Sequence, residues 1–156
     1  MRKFILYPLV LVAGLFAGLL LSDGSVWTLI AGPPDMGRAD FARVEHPENE
    51  FVACSEGADC ARPDLRFGSM TTTPETALAM VAETLGPDAK RVDDGSDPLH
   101  RRYVVRTRWL KFPDTVSIDA APLDGRTALR ISSRSQIGQS DFGVNEARVR
   151  DLVAAL

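Results

Sequence analysis

The sequence predicts an α+β domain: an antiparallel sheet of three to four strands with two helices on one face, preceded by an N-terminal transmembrane helix. Apolar and polar residues alternate with a period of two between residues 100 and 135, which is typical of strands with one buried face. Residues 73–86 and 145–156 instead repeat apolar positions every three to four residues, as amphipathic helices do. An uncharged apolar run near the N-terminus completes the pattern.

The apolar run extends from Phe4 to Leu21 and follows Arg2 and Lys3. Eighteen helical residues span about 27 Å, close to the hydrocarbon thickness of a bilayer. The positive charges before the run favour a cytoplasmic N-terminus and an exported body. A cleaved signal peptide is the alternative, although no A-x-A motif follows the run. We therefore predict a cytoplasmic stub at residues 1–3 and a transmembrane anchor or signal sequence at residues 4–21.

Residues 22–70 are predicted to be an irregular segment that wraps around an α+β domain at residues 71–156. The segment contains prolines, glycines and acidic residues without sustained periodicity, apart from a short strand predicted at Phe51–Cys54. Trp27 has two interpretations: it lies in the membrane interface, or it packs on the domain.

The two cysteines, Cys54 and Cys60, enclose five residues. In an oxidising compartment a disulfide is the default for such a pair, and two free thiols are the alternative. The only histidines, His46 and His100, lack the spacing of zinc ligands. The sequence therefore predicts no metal site and no cofactor.

The first helix of the domain begins after Thr73, which can cap it, and Pro74 suits its first turn. Gly86 and Pro87 end it. One apolar stripe is predicted to face the core, and it consists of Leu78, Val81, Ala82 and Leu85.

Strands follow, beginning with a short one near residues 90–94. Residues 100–109 place Tyr103 and Val105 on one face and arginines on the other. Residues 115–120 alternate likewise, and Asp124-Gly125 is a strong signal for a hairpin turn. The remaining predicted core positions of these strands are Thr107, Trp109, Val116, Ile118, Ala120, Leu129 and Ile131.

The final helix is predicted to begin at Asn145, which can cap it. Its inward positions are Val149, Leu152, Val153 and Leu156.

Charge is spread unevenly along the chain: residues 22–88 hold 4 basic and 12 acidic residues, and residues 89–150 hold 12 basic and 8 acidic ones. Such a small positive excess is weak for nucleic-acid binding, so no nucleic-acid partner is predicted.

Two polar stretches carry a resemblance to a known family. They are Phe112-Pro113-Asp114, and Ser133-Arg134-Ser135 followed by Gly138, Ser140-Asp141, Gly143-Val144-Asn145 and Arg148. Together they resemble the domain of unknown function 1499 family. The stretch VWTLIAGPPDMGRADF and the paired cysteines are similar to those of its membrane-anchored proteobacterial members. The resemblance implies an inner-membrane protein whose body lies in the periplasm of a Gram-negative bacterium, and it implies no established reaction or ligand.

The loop before the final helix has two interpretations. In the structural one, Gly138 and Gly143 adopt positive φ, and polar side chains accept backbone N–H groups to cap the helix. In the functional one, the loop amides and the helix N-terminus form an anion pocket below Arg134. Asp141 fits the structural interpretation better, because its carboxylate would compete with a bound anion.

The arginine face of the sheet is the second candidate. Arg102, Arg106, Arg108 and Arg130 are predicted to point the same way, beside Ser117 and Asp119. This face is either solvated, with Arg106 or Arg108 paired to Asp114 or Asp119, or it lines a groove for an anionic envelope molecule. The candidate ligand-binding residues are Arg134, Ser135, Ser140, Asn145, Arg106 and Arg108, and the structural ones are Asp114, Asp141, Gly138 and Gly143.

No catalytic motif is present, and His100 lies at the start of a strand with no nucleophile motif around it. The sequence therefore favours a non-catalytic binding or accessory module for an envelope component. Its predicted partners are the membrane, through Phe4 to Leu21, and an anionic envelope ligand or a membrane protein. One alternative is a hydrolase that uses Asp114 or Asp141, and another is a structural subunit of a membrane complex.

Overall fold

The computed structural model describes residues 24–156 and six earlier positions, 10–12, 14, 17 and 18. From residue 24 onward the helices are α1 (Ser25–Ala31), α2 (Pro74–Leu85) and α3 (Val144–Ala154). The strands are β1 (Glu50–Ser55), β2 (Leu65–Phe67), β3 (Lys90–Arg91), β4 (His100–Arg106), β5 (Pro113–Leu123) and β6 (Arg126–Ser135). All six strands form one sheet, in the order β2-β1-β6-β5-β4-β3.

The prediction of a three- to four-stranded antiparallel sheet is wrong, because the sheet has six strands and is mixed. β1 runs parallel to β2 and antiparallel to β6, and the other pairs are antiparallel. β1 is buried on both faces, so its central residues, 51–54, form an apolar run rather than an alternating pattern. β2 has three residues, too few to show any period.

The predicted transmembrane helix is not found within the described residues. Among the described residues, no helix combines the length and the apolar character needed to cross a bilayer. Most of the span for which it was predicted, Phe4 to Leu21, lies outside the described residues.

α2 and α3 pack on one face of the sheet and enclose the main core. Ile118 and Ile131 are register partners at its centre, and both are fully buried. The other core residues are Ala53, Met70, Ala77, Leu78, Val81, Tyr103, Val116, Ala120, Leu129, Val149 and Leu152. Most of the core positions predicted for β4, β5, β6 and the two helices are among them.

Local sequence signals predicted several element boundaries correctly. Thr73 Oγ1 accepts the Thr76 backbone N–H at 3.3 Å, and α2 ends before Gly86. Asp124 and Gly125 connect β5 to β6 with φ values of 42° and 79°. A two-residue hairpin turn with both φ values positive matches the twist of its strands, which explains the strength of the Asp-Gly signal.

β4 ends at Arg106, three residues earlier than the alternating pattern predicted. The chain turns there, because Thr107 and Phe112 bond to each other through two hydrogen bonds, Thr107 N–H to Phe112 O and Phe112 N–H to Thr107 Oγ1. Trp109 is therefore exposed rather than buried. Trp27 packs on this turn, with its ring 4.6 Å from that of Phe112 and its Nε1 donating to Leu110 O at 2.6 Å. Of its two interpretations, the structure shows packing on the domain.

The second sheet face is covered by residues 33–49, called here the covering segment. Two hydroxyl groups of β5 hold its backbone. Thr115 Oγ1 accepts from Met36 N–H and donates to Pro34 O, both at 3.1 Å. Ser117 Oγ accepts from Ala39 N–H at 3.1 Å. The arginine face predicted from the alternating strands is thus largely an interior surface.

Cys54 and Cys60 form a disulfide, as predicted. It belongs to a small second core with Phe41 and Val52, on the covered face of the sheet. Ala61, next to Cys60, donates its N–H to Phe41 O at 3.0 Å. The disulfide therefore helps to hold the covering segment against β1.

Replacing both cysteines by alanine is expected to lower the free energy of unfolding by about 2 kcal/mol, because a crosslink over such a short loop removes little entropy from the unfolded chain. Urea titration of the variant and of the wild type measures the difference, and the wild type in reductant is the control. Both thiols of the folded wild type should resist alkylation until reductant is added. Labelling of both thiols without reductant would contradict the bond.

Candidate functional site

Asp114 is fully buried between β5 and the helices. Ser135 Oγ donates to one of its oxygens at 2.6 Å, and Arg148 Nη2 donates to the other at 2.7 Å. Burial raises the pKa of Asp114, an effect that the positive charge of Arg148 and the Ser135 hydroxyl oppose without cancelling. The carboxylate has no exposed surface through which it could meet a substrate.

The same polar network continues into α3. Arg148 Nη1 donates to Ser133 Oγ at 2.8 Å and to Asn145 Oδ1 at 2.6 Å. Asn145 Nδ2 donates to Asn49 O at 2.9 Å and to Ser135 Oγ at 3.0 Å. This arrangement joins β5, β6, α3 and the end of the covering segment, and it accounts for most of the polar pattern that resembles the family.

The loop before α3 caps the N-terminus of that helix. Asp141 accepts the backbone N–H groups of Gly143 at 3.1 Å and of Asn145 at 2.6 Å. The prediction that Asn145 caps this helix is wrong, because its side chain points into the network around Asp114. Gly138 and Gly143 have φ values of 93° and 81°, and Ser140 Oγ accepts Phe142 N–H at 3.3 Å. The Asp141 carboxylate occupies the N–H groups that an anion at the helix N-terminus would need.

Asp119 is the centre of a charge cluster on the covered face. It accepts hydrogen bonds from His100 Nδ1 at 2.7 Å and from Arg130 Nη2 at 2.9 Å. Arg38 Nη2, from the covering segment, lies 2.9 Å from the oxygen that His100 contacts. These pairs connect the covering segment to the sheet.

A second ion pair on this face joins Arg102 to Asp35, through two hydrogen bonds of 2.6 and 2.9 Å. Burial acts against ionisation of Asp35, but the hydrogen bonds from Arg102 and the Gly37 N–H hold the pKa of Asp35 below its usual range.

The two other arginines predicted for this face have different surroundings. Arg106 Nη1 donates to Gly24 O and Lys111 O, each at 3.1 Å. Arg108 follows the end of β4, is exposed, and lies 5.3 Å from the centre of the Trp109 ring. Neither arginine contacts Asp114 or Asp119.

An inner cavity of about 110 Å³ lies between the covering segment and the sheet. Its charged lining residues are Arg38, Asp40, Arg43, Glu50 and Arg134, and hydroxyl groups of Thr115, Ser117 and Ser132 complete it. The Nε atoms of Arg43 and Arg134 are buried and have no hydrogen-bond partner among the described residues. Arg43 pairs with Glu50 through Nη2, whereas no ion pair of Arg134 occurs within the described part of the chain.

An outer cavity of about 500 Å³ adjoins the inner one, and Met36 and Arg134 line both. Two amide oxygens among its lining residues, Asn49 Oδ1 and Gln136 Oε1, are buried without a partner. The hydrogen bonds that each amide nitrogen donates determine the orientation of both side-chain amides. Asn49 Nδ2 donates to Ser135 O and Gly138 O, and Gln136 Nε2 donates to Ala31 O and Pro33 O. A flipped amide would aim its oxygen at two carbonyls, so these oxygens are acceptors.

Unsatisfied polar atoms concentrate at these two cavities. Among the described residues, six buried side-chain nitrogen or oxygen atoms lack a hydrogen-bond partner. Four of them belong to residues that line these cavities, Arg43 and Asn49 in one stretch of the chain and Arg134 and Gln136 in another. The two stretches are adjacent because Glu50 and Arg134 are register partners of β1 and β6. Buried polar groups in folded proteins nearly always have partners, so such a cluster marks a place for a ligand or bound water.

A family model described as Protein of unknown function (DUF1499) matches residues 43–156. The chain belongs to this family. The matched part of this DUF1499 chain includes Arg43, Asn49, Arg134 and Gln136, and also the network around Asp114. No curated protein and no solved structure matches the chain. The resemblance that the polar stretches indicated is thus confirmed at the level of the family.

The predicted site residues of the DUF1499 chain are only partly brought together. Arg134 and Ser135 line the outer cavity, whereas Ser140, Asn145, Arg106 and Arg108 lie elsewhere. Because neighbours in a strand point to opposite faces, Ser133 and Ser135 face α3 while Arg134 faces the covering segment. That alternation could have placed Arg134 from the sequence. The contribution of Arg43, Asn49 and Gln136 has no comparable signal, since all three lie outside the periodic segments.

Proposed function

We propose that this domain binds a small oxyanion, such as a phosphate or carboxylate group, in the inner cavity, and that its role is non-catalytic. The buried, unpartnered Nε–H groups of Arg43 and Arg134 support the proposal. A guanidinium presents its N–H groups in a planar fork that matches two oxygens of a carboxylate or phosphate. An oxyanion that accepted from these N–H groups would supply the partners that they lack.

The charges of the residues that line the inner cavity nearly cancel, so the attraction for an anion comes from the placement of Arg134. Arg38 is balanced by Asp97 and Asp119, and Arg43 by Glu50. Asp40 and Arg134 are left without an ion pair in the described part of the chain, but Asp40 is exposed, so water screens its charge, whereas Arg134 is partly buried. Because charges attract more strongly where water is partly excluded, Arg134 would hold an anion here better than on an open surface.

The volume of the inner cavity limits the size of the bound group. A water molecule occupies about 30 Å³ of liquid. A cavity of about 110 Å³ therefore has room for a phosphate or carboxylate group of a few heavy atoms.

The two aspartates considered for hydrolysis have structural partners. Asp114 is fully buried and bonded to Ser135 and Arg148, on the opposite sheet face from the cavity. Asp141 accepts two backbone N–H groups at the start of α3. These contacts favour a binding role over the hydrolase alternative.

The experiment that tests the proposal replaces Arg134 by glutamine. Phosphate at 100 times its dissociation constant should stabilise the wild type by about 2.7 kcal/mol. The variant should lose this stabilisation, and without anion its melting temperature should change little because no ion pair is broken. Arg126→Gln, an exposed arginine with no ion pair among the described residues, is the matched control. Equal stabilisation of both variants, or none of the wild type relative to chloride at equal ionic strength, would refute the proposal.

We also propose that the domain works in the periplasm of a Gram-negative bacterium, held at the inner membrane, and that its ligand is an envelope component. The Cys54–Cys60 disulfide supports this location, because such bonds persist in oxidising compartments. The uncharged run from Phe4 to Leu21 behind Arg2 and Lys3 is typical of exported proteins.

A reporter enzyme that is active only outside the cytoplasm, fused after Leu156, should be active in cells. The same fusion to a chain without residues 1–21 should be inactive, since it lacks the apolar run. Activity of a cytoplasm-specific reporter on the full-length chain would contradict the proposed location.

A further inference from the structure

We infer that the anion is carried on a polyhydroxylated body, so that the ligand belongs to the class of sugar phosphates and sugar acids. This inference rests on the proposed anion binding in the inner cavity. Arg134 lines both cavities, so a molecule whose anionic group lies at Arg134 in the inner cavity extends from there into the outer one.

Two residues that line the outer cavity carry amide oxygens without a hydrogen-bond partner. Asn49 is buried, with a relative exposure of 8%, and its Oδ1 has no partner. Gln136 Oε1 is likewise buried and unpartnered. An apolar tail would leave both acceptors unsatisfied, whereas a hydroxyl group that reached either oxygen would satisfy it.

The charges of the outer cavity favour neutral donors over charged ones. Glu48 lines it and disfavours a second anionic group there. Arg134, on the same cavity, disfavours a cationic group. Hydroxyl groups are uncharged donors for Asn49 and Gln136, so neither Glu48 nor Arg134 repels them.

The outer cavity also has a suitable size for such a body. Its volume of about 500 Å³ lies within the range of about 300–1,000 Å³ that is usual for small-molecule pockets. This volume would accommodate a single hexose ring, while the phosphate or carboxylate group would occupy the smaller inner cavity.

The test measures by calorimetry how the wild type binds inorganic phosphate, hexyl phosphate and glucose 6-phosphate. Glucose 6-phosphate should bind about tenfold more tightly than the other two, because its hydroxyl groups form hydrogen bonds that neither comparison ligand offers. In Gln136→Met the ratio of the affinities for glucose 6-phosphate and hexyl phosphate should fall toward one. Arg126→Gln is the control and should keep the wild-type ratio.

The outcomes separate this inference from the proposed function. If inorganic phosphate does not bind, the proposed function fails and the inference fails with it. If all three ligands bind equally, or hexyl phosphate binds best, the inference is overturned while the anion site stands. Should Gln136→Met not fold, the comparison of the three ligands on the wild type decides alone.

Discussion

Replacing Arg148 by methionine is expected to lower the free energy of unfolding by about 3–5 kcal/mol at neutral pH, the range for a buried ion pair that loses one partner. Asp114 has no exposed surface, and the side chain of Arg148 is 14% exposed. The substitution leaves the carboxylate buried with only the Ser135 hydroxyl. It also removes a donor from Ser133 and Asn145.

The size of this effect should depend on pH. Because burial raises the pKa of Asp114, the folded state binds that proton more tightly than the unfolded state does. The contribution of this group to stability is therefore largest below its unfolded pKa and is lost as the pH rises through its folded pKa. Without Arg148 the pKa of Asp114 rises further. The difference between variant and wild type should thus shrink as the pH falls and the stranded carboxyl becomes neutral.

Urea titrations at pH 7.5 and pH 5 measure both effects. Arg150→Met is the matched control, because Arg150 lies on the same helix and forms an exposed i,i+4 pair with Glu146. Exposed pairs of this kind contribute about 0.3–0.5 kcal/mol. Equal losses for the two variants, or a larger loss for Arg148→Met at pH 5 than at pH 7.5, would contradict the role assigned to the buried pair.

The parts of the fold that the sequence predicted are those that depend on neighbouring residues. Thr73, Pro74 and Gly86 mark the ends of α2, and Asp124-Gly125 marks the hairpin, because capping and positive φ are local requirements. β1 and β2 join the sheet through pairing with distant or very short segments. No local period shows such pairing, and the prediction of sheet size failed there.

In the candidate site, too, the sequence predicted what depends on neighbouring residues and missed what depends on distant ones. Arg134 stood out because it belongs to a dense polar stretch, but Arg43 and Asn49 lie in the covering segment, where no pattern marks them. Their closeness to Arg134 follows from the pairing of β1 with β6, which sets Glu50 opposite Arg134. A contact of this kind, across more than eighty residues of sequence, requires the folded structure.

Asp119→Asn is expected to lower the free energy of unfolding by about 2–3 kcal/mol, as for the loss of buried hydrogen bonds to a charged group. The Asp119 side chain is 5% exposed, and its carboxylate pairs with Arg38, Arg130 and His100. An asparagine keeps one oxygen for these donors. Its amide nitrogen then faces a guanidinium N–H group, and neither donor has an acceptor.

The control for this variant is Asp97→Asn, which changes an exposed carboxylate that pairs with the same Arg38. Because exposed pairs contribute about 1 kcal/mol or less, this change should be small. Hydrogen exchange of residues 36–43 should be faster in Asp119→Asn than in Asp97→Asn, since Arg38 connects the covering segment to the sheet through Asp119. Equal exchange in the two variants would mean that Thr115 and Ser117, and not the charge cluster, hold the covering segment over the cavity.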